Sequence, residues 1–487
     1  MNTVQRIAKN TIVLLIANII SKTISFFYVM YIARYLGAEG FGILSFALAF
    51  TGIFGVFTDF GLEPLTVREV ARDKSLAPKY LANISIMKIF LVSITFALIA
   101  VVINLLGYPE QTIKVVYLIT LSLIFRAFAG VFYSILQAYE KMEYQSLGQI
   151  LDSALMLLGV VVAIKKDFGV IGFAFLYFIV KIIILGYNII ILKWKFGDLV
   201  VEWSKLKMKI DWNFWKLTIK EALPFGLSIT FVAIFYWIDS VMLSFMKGDE
   251  VVGWYNASYR LVLFLLFIPN AFIAAIYPIM SKFYITSQNY LRLSLEKSFK
   301  YLTILGVPIG VGTTLLAKKF ILMIFGLEYT NSIIALQILI WSSVFIFASQ
   351  PFGNLLNCLN KQSIVTKITG ICVVLNVTLN LILIPKYSLT GASIATVLTE
   401  FGSLVLCVIW SLKIDYSIFN KKVAITISKV VIASTIMGIF VMYFINLSLF
   451  VLLPLAVLLY FVVLYVINGI DKEEFLFIGR VIQKRVA

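Results

Sequence analysis

The chain has 487 residues, of which 61% are hydrophobic and only 13% are charged. Soluble domains contain about 45–50% apolar and about 25% charged residues, so this composition excludes a water-soluble fold and indicates an integral membrane protein. The sequence has no histidine, which excludes a histidine-dependent catalytic triad and a histidine-ligated metal site. Its three cysteines, Cys358, Cys372 and Cys407, form no zinc-binding motif.

The apolar runs predict an all-α membrane protein with fourteen transmembrane helices. A helix needs about 20 residues to cross about 30 Å of hydrocarbon. Runs of that length are separated by charged residues, glycine or proline. The predicted spans cover residues 10–33, 41–63, 81–106, 112–138, 146–164, 170–192, 222–246, 254–281, 298–317, 331–358, 363–384, 388–412, 423–446 and 448–468.

The distribution of positive charge predicts the orientation of the chain. With an even number of spans, both termini lie on one side of the membrane. Lysine and arginine number 25 in the segments on that side and 7 in the segments on the other side. Because cytoplasmic loops carry the excess of positive charge, we expect a multi-pass plasma-membrane protein with both termini in the cytoplasm.

The longest hydrophilic segment, residues 193–221, carries seven lysines interleaved with four tryptophans. Such a segment is typical of a linker that lies on anionic lipid headgroups, with its tryptophans at the interface. It is too short to be a soluble domain, and we expect no nucleic-acid partner. The function must therefore reside in the membrane.

Three short segments recur in the same order in the second half of the chain. Gly37–Gly42 matches Gly248–Gly253 at an offset of 211, residues 136–141 match 356–361 at 220, and residues 168–174 match 387–393 at 219. The repeat predicts two six-helix lobes of the same orientation, related by a pseudo-twofold axis along the membrane normal. The predicted regions are an N-terminal lobe (1–192), a basic cytoplasmic linker (193–221), a C-terminal lobe (222–412), and two additional helices with a cytoplasmic tail (413–487).

Several cations lie well inside predicted spans, where a charge costs about 2.5–3.5 kcal/mol and usually has a function or a partner. Lys22 shares a helical face with Asn18 and Ser25, and Arg260 follows Asn256 by four residues. Together with Arg126, these cations predict a hydrated cavity between the lobes that binds an anionic, phosphate-bearing substrate. The expected polar lining is Asn18, Ser25, Asn256, Gln350 and Asn354.

Three acidic residues also lie inside or at the end of predicted spans, namely Asp59, Asp239 and Glu400. Each is a candidate for gating, for coupling to Na⁺ or H⁺, or for structural pairing with a lysine, and the sequence leaves these alternatives open. No cofactor and no bound metal are predicted beyond a coupling ion.

The order and spacing of several motifs resemble the polysaccharide-precursor flippases of the multidrug/oligosaccharidyl-lipid/polysaccharide exporter superfamily. The similar segments are residues 33–42, 223–226, 239–242, 252–258, 277–282, 306–308 and 325–329. The resemblance implies a two-lobed, V-shaped bundle that moves a polyprenyl-(pyro)phosphate-linked oligosaccharide to the outer leaflet by alternating access. It also implies that Lys22 and Arg260 match cavity cations in the first and eighth helices. We further expect a functional monomer among membrane lipids that associates with glycan assembly enzymes.

Three other functions are weighed against this one. A peptidoglycan-precursor flippase differs only in its substrate, and the sequence leaves it open. A multidrug and toxin extrusion antiporter, coupled to a cation, shares the superfamily, but several intramembrane cations do not suit a cationic drug. A membrane polymerase or ligase of lipid-linked glycans needs a substantial outer loop with catalytic residues, and the predicted outer loops have about 14 residues or fewer. The sequence therefore favours a transporter and predicts no enzyme activity.

Overall fold

The computed structural model describes residues 3–197, 211–418 and 420–469, with side chains from Val13 onward. Residues 198–210 of the predicted basic linker and residues 470–487 of the C-terminal tail lie outside the described residues. The described part is helical and contains no strand. Its helices are α1 (Thr3–Gly55), α2 (Leu62–Arg72), α3 (Ala77–Leu105), α4 (Glu110–Ala138), α5 (Met142–Lys165), α6 (Val170–Lys195), α7 (Trp212–Lys247), α8 (Asp249–Leu265), α9 (Phe267–Thr286), α10 (Gln288–Ile324), α11 (Ser332–Cys358), α12 (Gln362–Lys413), α13 (Lys421–Tyr443) and α14 (Leu449–Val466).

In the described ranges, twelve helical stretches are long and apolar enough to cross a membrane. Two of them, Val13–Thr58 and Gln362–Lys413, have 46 and 52 residues. A straight helix of 52 residues would be about 78 Å long, more than twice the hydrocarbon thickness. Each stretch contains one residue with non-helical dihedral angles, Gly37 in the first and Ser388 in the second.

The break at Ser388 is a sharp turn of the chain. A Cβ atom on Gly391 would lie 2.4 Å from the carbonyl oxygen of Leu383, eight residues earlier. In a straight helix these two residues are about 12 Å apart along the axis. The two parts of α12 therefore fold toward each other, as the predicted boundary between residues 384 and 388 requires.

The first pair of repeated segments adopts the same backbone conformation. Gly37 has φ 70° and ψ −178°, and Gly248 has φ 89° and ψ 171°. Both values of φ lie in the region that favours glycine because other residues have a Cβ atom that clashes there. The repeat in the sequence thus reflects a requirement of the turn that each glycine makes.

These two turns also contact each other reciprocally. A Cβ atom on Gly42 would lie 1.7 Å from the carbonyl oxygen of Asp249, and one on Gly253 would lie 1.9 Å from that of Ala38. Ala38 and Asp249 are separated by the same 211 residues as Gly42 and Gly253. The two turns therefore contact each other through corresponding positions, and only glycine lets the backbones approach so closely.

The second pair of repeated segments agrees in the same way, whereas the third does not. At the ends of α4 and α11, Glu140 and Asn360 have φ of 58° and 57°. In residues 136–141 and 356–361 the last amide donates to the first carbonyl at 2.8 Å in both cases. In the third pair, Gly169 precedes the start of α6, while Ser388 interrupts a longer helix.

The chain divides into two compact units. The first contains Met1–Asn256 and Val373–Ala392, and the second contains Ala257–Cys372 and Ser393–Ala487. The core of the first unit includes buried residues of α2, α3 and α4, such as Leu65, Leu81 and Ile135. In the second unit α13 and α14 pack with α10, and the hydroxyl of Tyr460 on α14 donates to the carbonyl of Ile304 at 2.7 Å.

Candidate functional site

Three of the predicted site residues lie on α1 in the first unit. Asn18, Lys22 and Ser25 follow each other by four and three residues on a helix that is continuous up to Gly37, so their side chains share one face. Asn18 and Lys22 are exposed, and Ser25 is half-buried. Among the described residues, no carboxylate forms an ion pair with Lys22. This face thus presents an ammonium group flanked by hydrogen-bonding side chains.

Arg126 lies on α4 of the same unit and is exposed. It is close enough to Glu63 and to Lys181 to interact electrostatically with both. In the part of the chain with described side chains, it forms no ion pair at contact distance. Arg126 therefore stands beside two ion-paired groups while its own guanidinium is accessible to an anion.

A buried ion cluster lies where α3 packs against α2 and α4. Lys88 is completely buried, and its ammonium contacts Asp59 at 3.0 Å, Glu63 at 2.8 Å and the carbonyl oxygen of Ala127 at 2.8 Å. Asp59 in turn accepts hydrogen bonds from the backbone amide of Glu63 at 3.2 and 3.3 Å. Of the three alternatives open for Asp59, the structure thus supplies the lysine partner of structural pairing.

Gly130 on α4 makes room for this cluster. A Cβ atom at this position would lie 1.7 Å from Oε1 of Glu63. Because Oε1 also accepts from Lys88, the carboxylate has little freedom to withdraw. The glycine is therefore a packing requirement of the ion cluster.

A second ion pair joins α5 and α6. Lys181 donates to both oxygens of Asp152, at 2.6 and 2.8 Å. The side chains are 20% and 27% exposed, so neither charge is left alone in an apolar environment.

Asp239 lies in a buried polar cluster that includes the neutral side chains of Tyr255 and Asn380. Its carboxylate accepts from the hydroxyl of Tyr255 at 2.7 Å and from the amide nitrogen of Asn380 at 2.5 Å. Asn380 also donates to Oδ1 of Asn376 at 3.0 Å. Asp239 is only 4% exposed, and Asn380 and Asn376 are 0% and 1% exposed.

Asn256 belongs to the neighbourhood of Asp239. It is buried, and its amide nitrogen donates to the hydroxyl of Ser240 and to the carbonyl oxygen of Val252, both at 3.0 Å. The amide oxygen of Asn380 is buried with no hydrogen-bond partner in the described structure. One carboxylate and several neutral oxygens are therefore gathered here, which is the ligand type that hard cations prefer.

Arg260 lies on α8 in the second unit and is half-buried. Its Nε atom is buried and has no hydrogen-bond partner in the described part of the protein. A buried donor without a partner costs about 1–3 kcal/mol, and more when the group is charged. Arg260 is thus a cation with one buried hydrogen-bond donor that the described structure leaves unused.

The other predicted residues of the second unit lie on α11 and α12. The amide nitrogen of Gln350 donates to Oδ1 of Asn270 at 2.9 Å, while its own amide oxygen is buried without a described partner. Asn354 donates to the carbonyl oxygen of Gln350 at 2.9 Å. Glu400 is 9% exposed and lies near the buried thiols of Cys372 and Cys407.

Sequence reasoning missed four residues of these clusters, namely Glu63, Tyr255, Asn376 and Asn380. Glu63 follows Asp59 by four residues, so helical spacing was a usable signal for it. Asn376 and Asn380 also differ by four and form a stripe on α12. Tyr255 carries no such signal, because a tyrosine in a membrane helix is more often a packing residue than the partner of an acid.

The profile of a family described as "Polysaccharide biosynthesis protein" matches residues 7–284, which are more than half of the chain. A second profile, MatE, matches residues 224–382. The two matches overlap between α7 and α9, and together they extend from the start of α1 into α12.

Two relatives of the chain carry names that concern glycans. It is 24% identical over 446 residues to the probable low-salt glycan biosynthesis flippase Agl15 of Haloferax volcanii, and the aligned region covers 89% of each chain. It is also 24% identical over 410 residues to the capsular polysaccharide biosynthesis protein CapF of Staphylococcus aureus, covering 82% of this chain and 97% of the relative.

The fold is similar to that of the lipid II flippase MurJ in an inward closed conformation. The TM-score is 0.75 at 17% identity, and the match covers 96% of this chain and 100% of MurJ. At this identity the similarity concerns the fold alone. With the profile match over residues 7–284, the chain belongs to the polysaccharide biosynthesis protein family, whose relatives and fold are those of transporters.

Proposed function

We propose that this protein is a flippase that moves a polyprenyl-(pyro)phosphate-linked oligosaccharide from the cytoplasmic to the outer leaflet for the assembly of a surface glycan. The observation that carries the proposal is a set of intramembrane cations that the fold leaves available. Lys22 and Arg126 are exposed without an ion pair in the described part, and Arg260 has a buried Nε without a partner. The family and the names of the relatives supply the substrate class.

The cations distinguish the phosphate of such a substrate from its sugar and its lipid. Arginine offers a planar fork of donors to phosphate oxygens, and lysine offers a compact charge. Asn18 and Ser25, beside Lys22, suit the hydroxyl groups of a sugar. Transfer of the lipid-linked oligosaccharide from one leaflet to the other needs no covalent step, because only the environment of its headgroup changes.

The proposal includes the finer architecture expected from the sequence. The breaks at Gly37 and Ser388 divide two of the twelve apolar stretches and support a total of fourteen spans. The shared conformation of the turns at Gly37 and Gly248 supports a pseudo-twofold relation between six-helix lobes. The excess of 25 over 7 positive residues supports cytoplasmic termini.

The cluster around Asp239 is the proposed site of the coupling ion. The buried carboxylate of Asp239 and the buried amide oxygen of Asn380, which has no hydrogen-bond partner in the described part, are oxygens of the kind that hard cations bind. Na⁺ would bind through such oxygen ligands, and H⁺ would neutralise the carboxylate. Asp59 is a weaker candidate because Lys88 already compensates it.

The proposal is tested by reconstituting the purified protein in liposomes that contain a lipid-linked oligosaccharide labelled on its glycan. Transfer is measured as the fraction of glycan that an added lectin can bind. We expect the double substitution Lys22→Gln/Arg260→Gln to reduce the initial rate at least tenfold, since each lost charge–phosphate contact removes about 1.5–3 kcal/mol.

The control is the double substitution Arg72→Gln/Lys141→Gln, which removes one arginine and one lysine that are exposed outside the apolar stretches. It should transfer the glycan at the original rate. Equal rates for the two double variants would refute the assignment of Lys22 and Arg260, and no transfer by the unmodified protein would refute the flippase itself.

A multidrug antiporter is the second candidate, because the MatE profile matches residues 224–382. It predicts that cells producing the protein tolerate cationic drugs at higher concentrations. The flippase predicts no change in tolerance. A glycan polymerase or ligase is not proposed, since the family and the fold are those of transporters rather than enzymes.

A further inference from the structure

A cavity of about 250 Å³ lies in the second unit, among α10, α13 and the end of α14. The residues that line it belong to the ends of these helices that we expect to lie on the cytoplasmic side. The cavity contains none of the residues assigned to the transport of the glycan.

Three lysines and one glutamate give this cavity a net positive charge. Glu296, Lys300 and Thr303 succeed each other by four and three residues on α10, and Lys422, Thr426 and Lys429 do so on α13. Each set therefore forms one stripe, and both stripes line the cavity. The remaining lining includes apolar side chains such as Phe299 and Ile425.

Lys429 lines the cavity and is held by a hydrogen bond to the end of α14. Its ammonium donates to the carbonyl oxygen of Asn468 at 2.9 Å. Asn468 has φ 53°, and the next amide, of Gly469, donates to the carbonyl oxygen of Leu464 at 2.8 Å, which closes the C-terminus of α14. A cation at the C-terminal end of a helix is favourable, so the lysine is held in place by more than one interaction.

Two further features of the cavity suit a phosphate group. The hydroxyl oxygen of Thr303 is buried and has no hydrogen-bond partner among the described residues. The cavity also lies beside the first turn of α13, where the side chain of Asn420 accepts from the amide of Val423 and marks the N-terminus of the helix. Anions are stabilised near such a terminus.

We propose that this cavity binds the phosphate of an anionic phospholipid of the cytoplasmic leaflet, with the lysines around the phosphate and the acyl chains outside between the helices. Basic pockets between transmembrane helices on this side of a membrane recognise anionic headgroups. The site goes beyond the proposed flippase activity, since it takes a resident lipid. Its test measures lipid binding and does not depend on transport.

The test uses native mass spectrometry of the purified full-length protein titrated with dioleoyl-phosphatidylglycerol or dioleoyl-phosphatidylcholine. We expect the protein to retain phosphatidylglycerol preferentially. The substitution Lys300→Gln/Lys422→Gln/Lys429→Gln should weaken that binding by up to a hundredfold, since each lysine near an anionic headgroup contributes about fivefold. Inorganic phosphate at millimolar concentration should not displace the lipid, which distinguishes a lipid headgroup from a free phosphate as the ligand.

The matched control is Lys282→Gln/Lys297→Gln/Lys421→Gln, which removes three lysines from the same expected side but outside the cavity. It should bind phosphatidylglycerol like the unmodified protein. A second variant, Thr426→Trp, keeps every lysine and fills the cavity, and it should also lose the lipid. Equal binding by the cavity variants and the control, or equal binding of the two phospholipids, would overturn the proposal.

Discussion

Asp59 and Asp239 are both aspartates at apolar helices of the same unit, yet the fold compensates their charges differently. Asp59 is 20% exposed and contacts the completely buried ammonium of Lys88. Asp239 is buried, and its described contacts are the neutral donors of Tyr255 and Asn380. The comparison teaches that aspartates at apolar helices of one unit can have different partners, an ammonium group at Asp59 and hydrogen-bond donors of neutral side chains at Asp239.

The energetic reason lies in the cost of an isolated charge in a medium of low dielectric constant. A carboxylate beside an ammonium gains a Coulomb energy that offsets part of its desolvation. A carboxylate beside amides and a hydroxyl gains hydrogen bonds but keeps its net charge. In the ion pair the compensating charge belongs to the fold, whereas at Asp239 the proposed Na⁺ or H⁺ would add a positive charge.

The largest effect is expected when Asp59 loses its partner. Lys88→Met should lower the free energy of unfolding by about 3 kcal/mol, because it leaves Asp59 and Glu63 without their cation. The decrease in melting temperature of Lys88→Met, relative to the unmodified protein, is measured in detergent solution. Adding Asp59→Asn and Glu63→Gln to Lys88→Met should restore most of the stability, and failure of this rescue would contradict the charge-pairing explanation.

The packing around the same cluster gives the second prediction. Gly130→Ala places a Cβ atom where Oε1 of Glu63 lies and should destabilise the protein by about 1–3 kcal/mol. The control is Gly186→Ala on α6, where no atom lies within 4 Å of the added Cβ. That change should be neutral or stabilise the helix by up to about 1 kcal/mol. Similar melting temperatures for both variants would remove the proposed role of Gly130.

The third prediction sharpens the comparison at Asp239. If the unmodified protein binds Na⁺ there, saturation at a hundred times the dissociation constant stabilises it by about 2.7 kcal/mol. Asp239→Asn should abolish the dependence of the melting temperature on Na⁺, because it removes the charge. Asp59→Asn should keep that dependence. An unchanged response in Asp239→Asn would place the ion elsewhere.

The smallest effect is expected at Asp211, an acid that lies outside the apolar stretches. A hydrogen bond from the amide of Phe214 and the neighbouring ammonium of Lys79, at 3.0 Å, lower its pKa below the usual value. Its contribution to stability is present above the unfolded-state pKa of about 3.9 and disappears as the pH falls through the lower folded-state pKa. Asp211→Asn keeps the helix-capping oxygen, so it should cause only a slight loss near neutral pH that vanishes in acid, as measured by melting temperature against pH.

Much of the architecture follows from hydropathy and glycine placement alone. Apolar runs of sufficient length predicted the helical membrane fold, and the repeated glycines predicted the turns at Gly37 and Gly248. The structure ends the second predicted span earlier than residue 63, because the helix stops at Gly55 and a short 3₁₀ turn and α2 follow. Hydropathy does not mark such an end when the next helix is also partly buried.

The sequence by itself determined that the chain is a helical membrane protein and which charges have to be explained in its apolar helices, because these properties depend on the local density of apolar residues and on helical spacing. Only the tertiary structure decided which charges are paired. Lys88 meets Asp59 across 29 residues, and Asp239 meets Asn380 across 141. Such contacts join separate helices, and helix packing brings them together without leaving a periodic signal in the sequence.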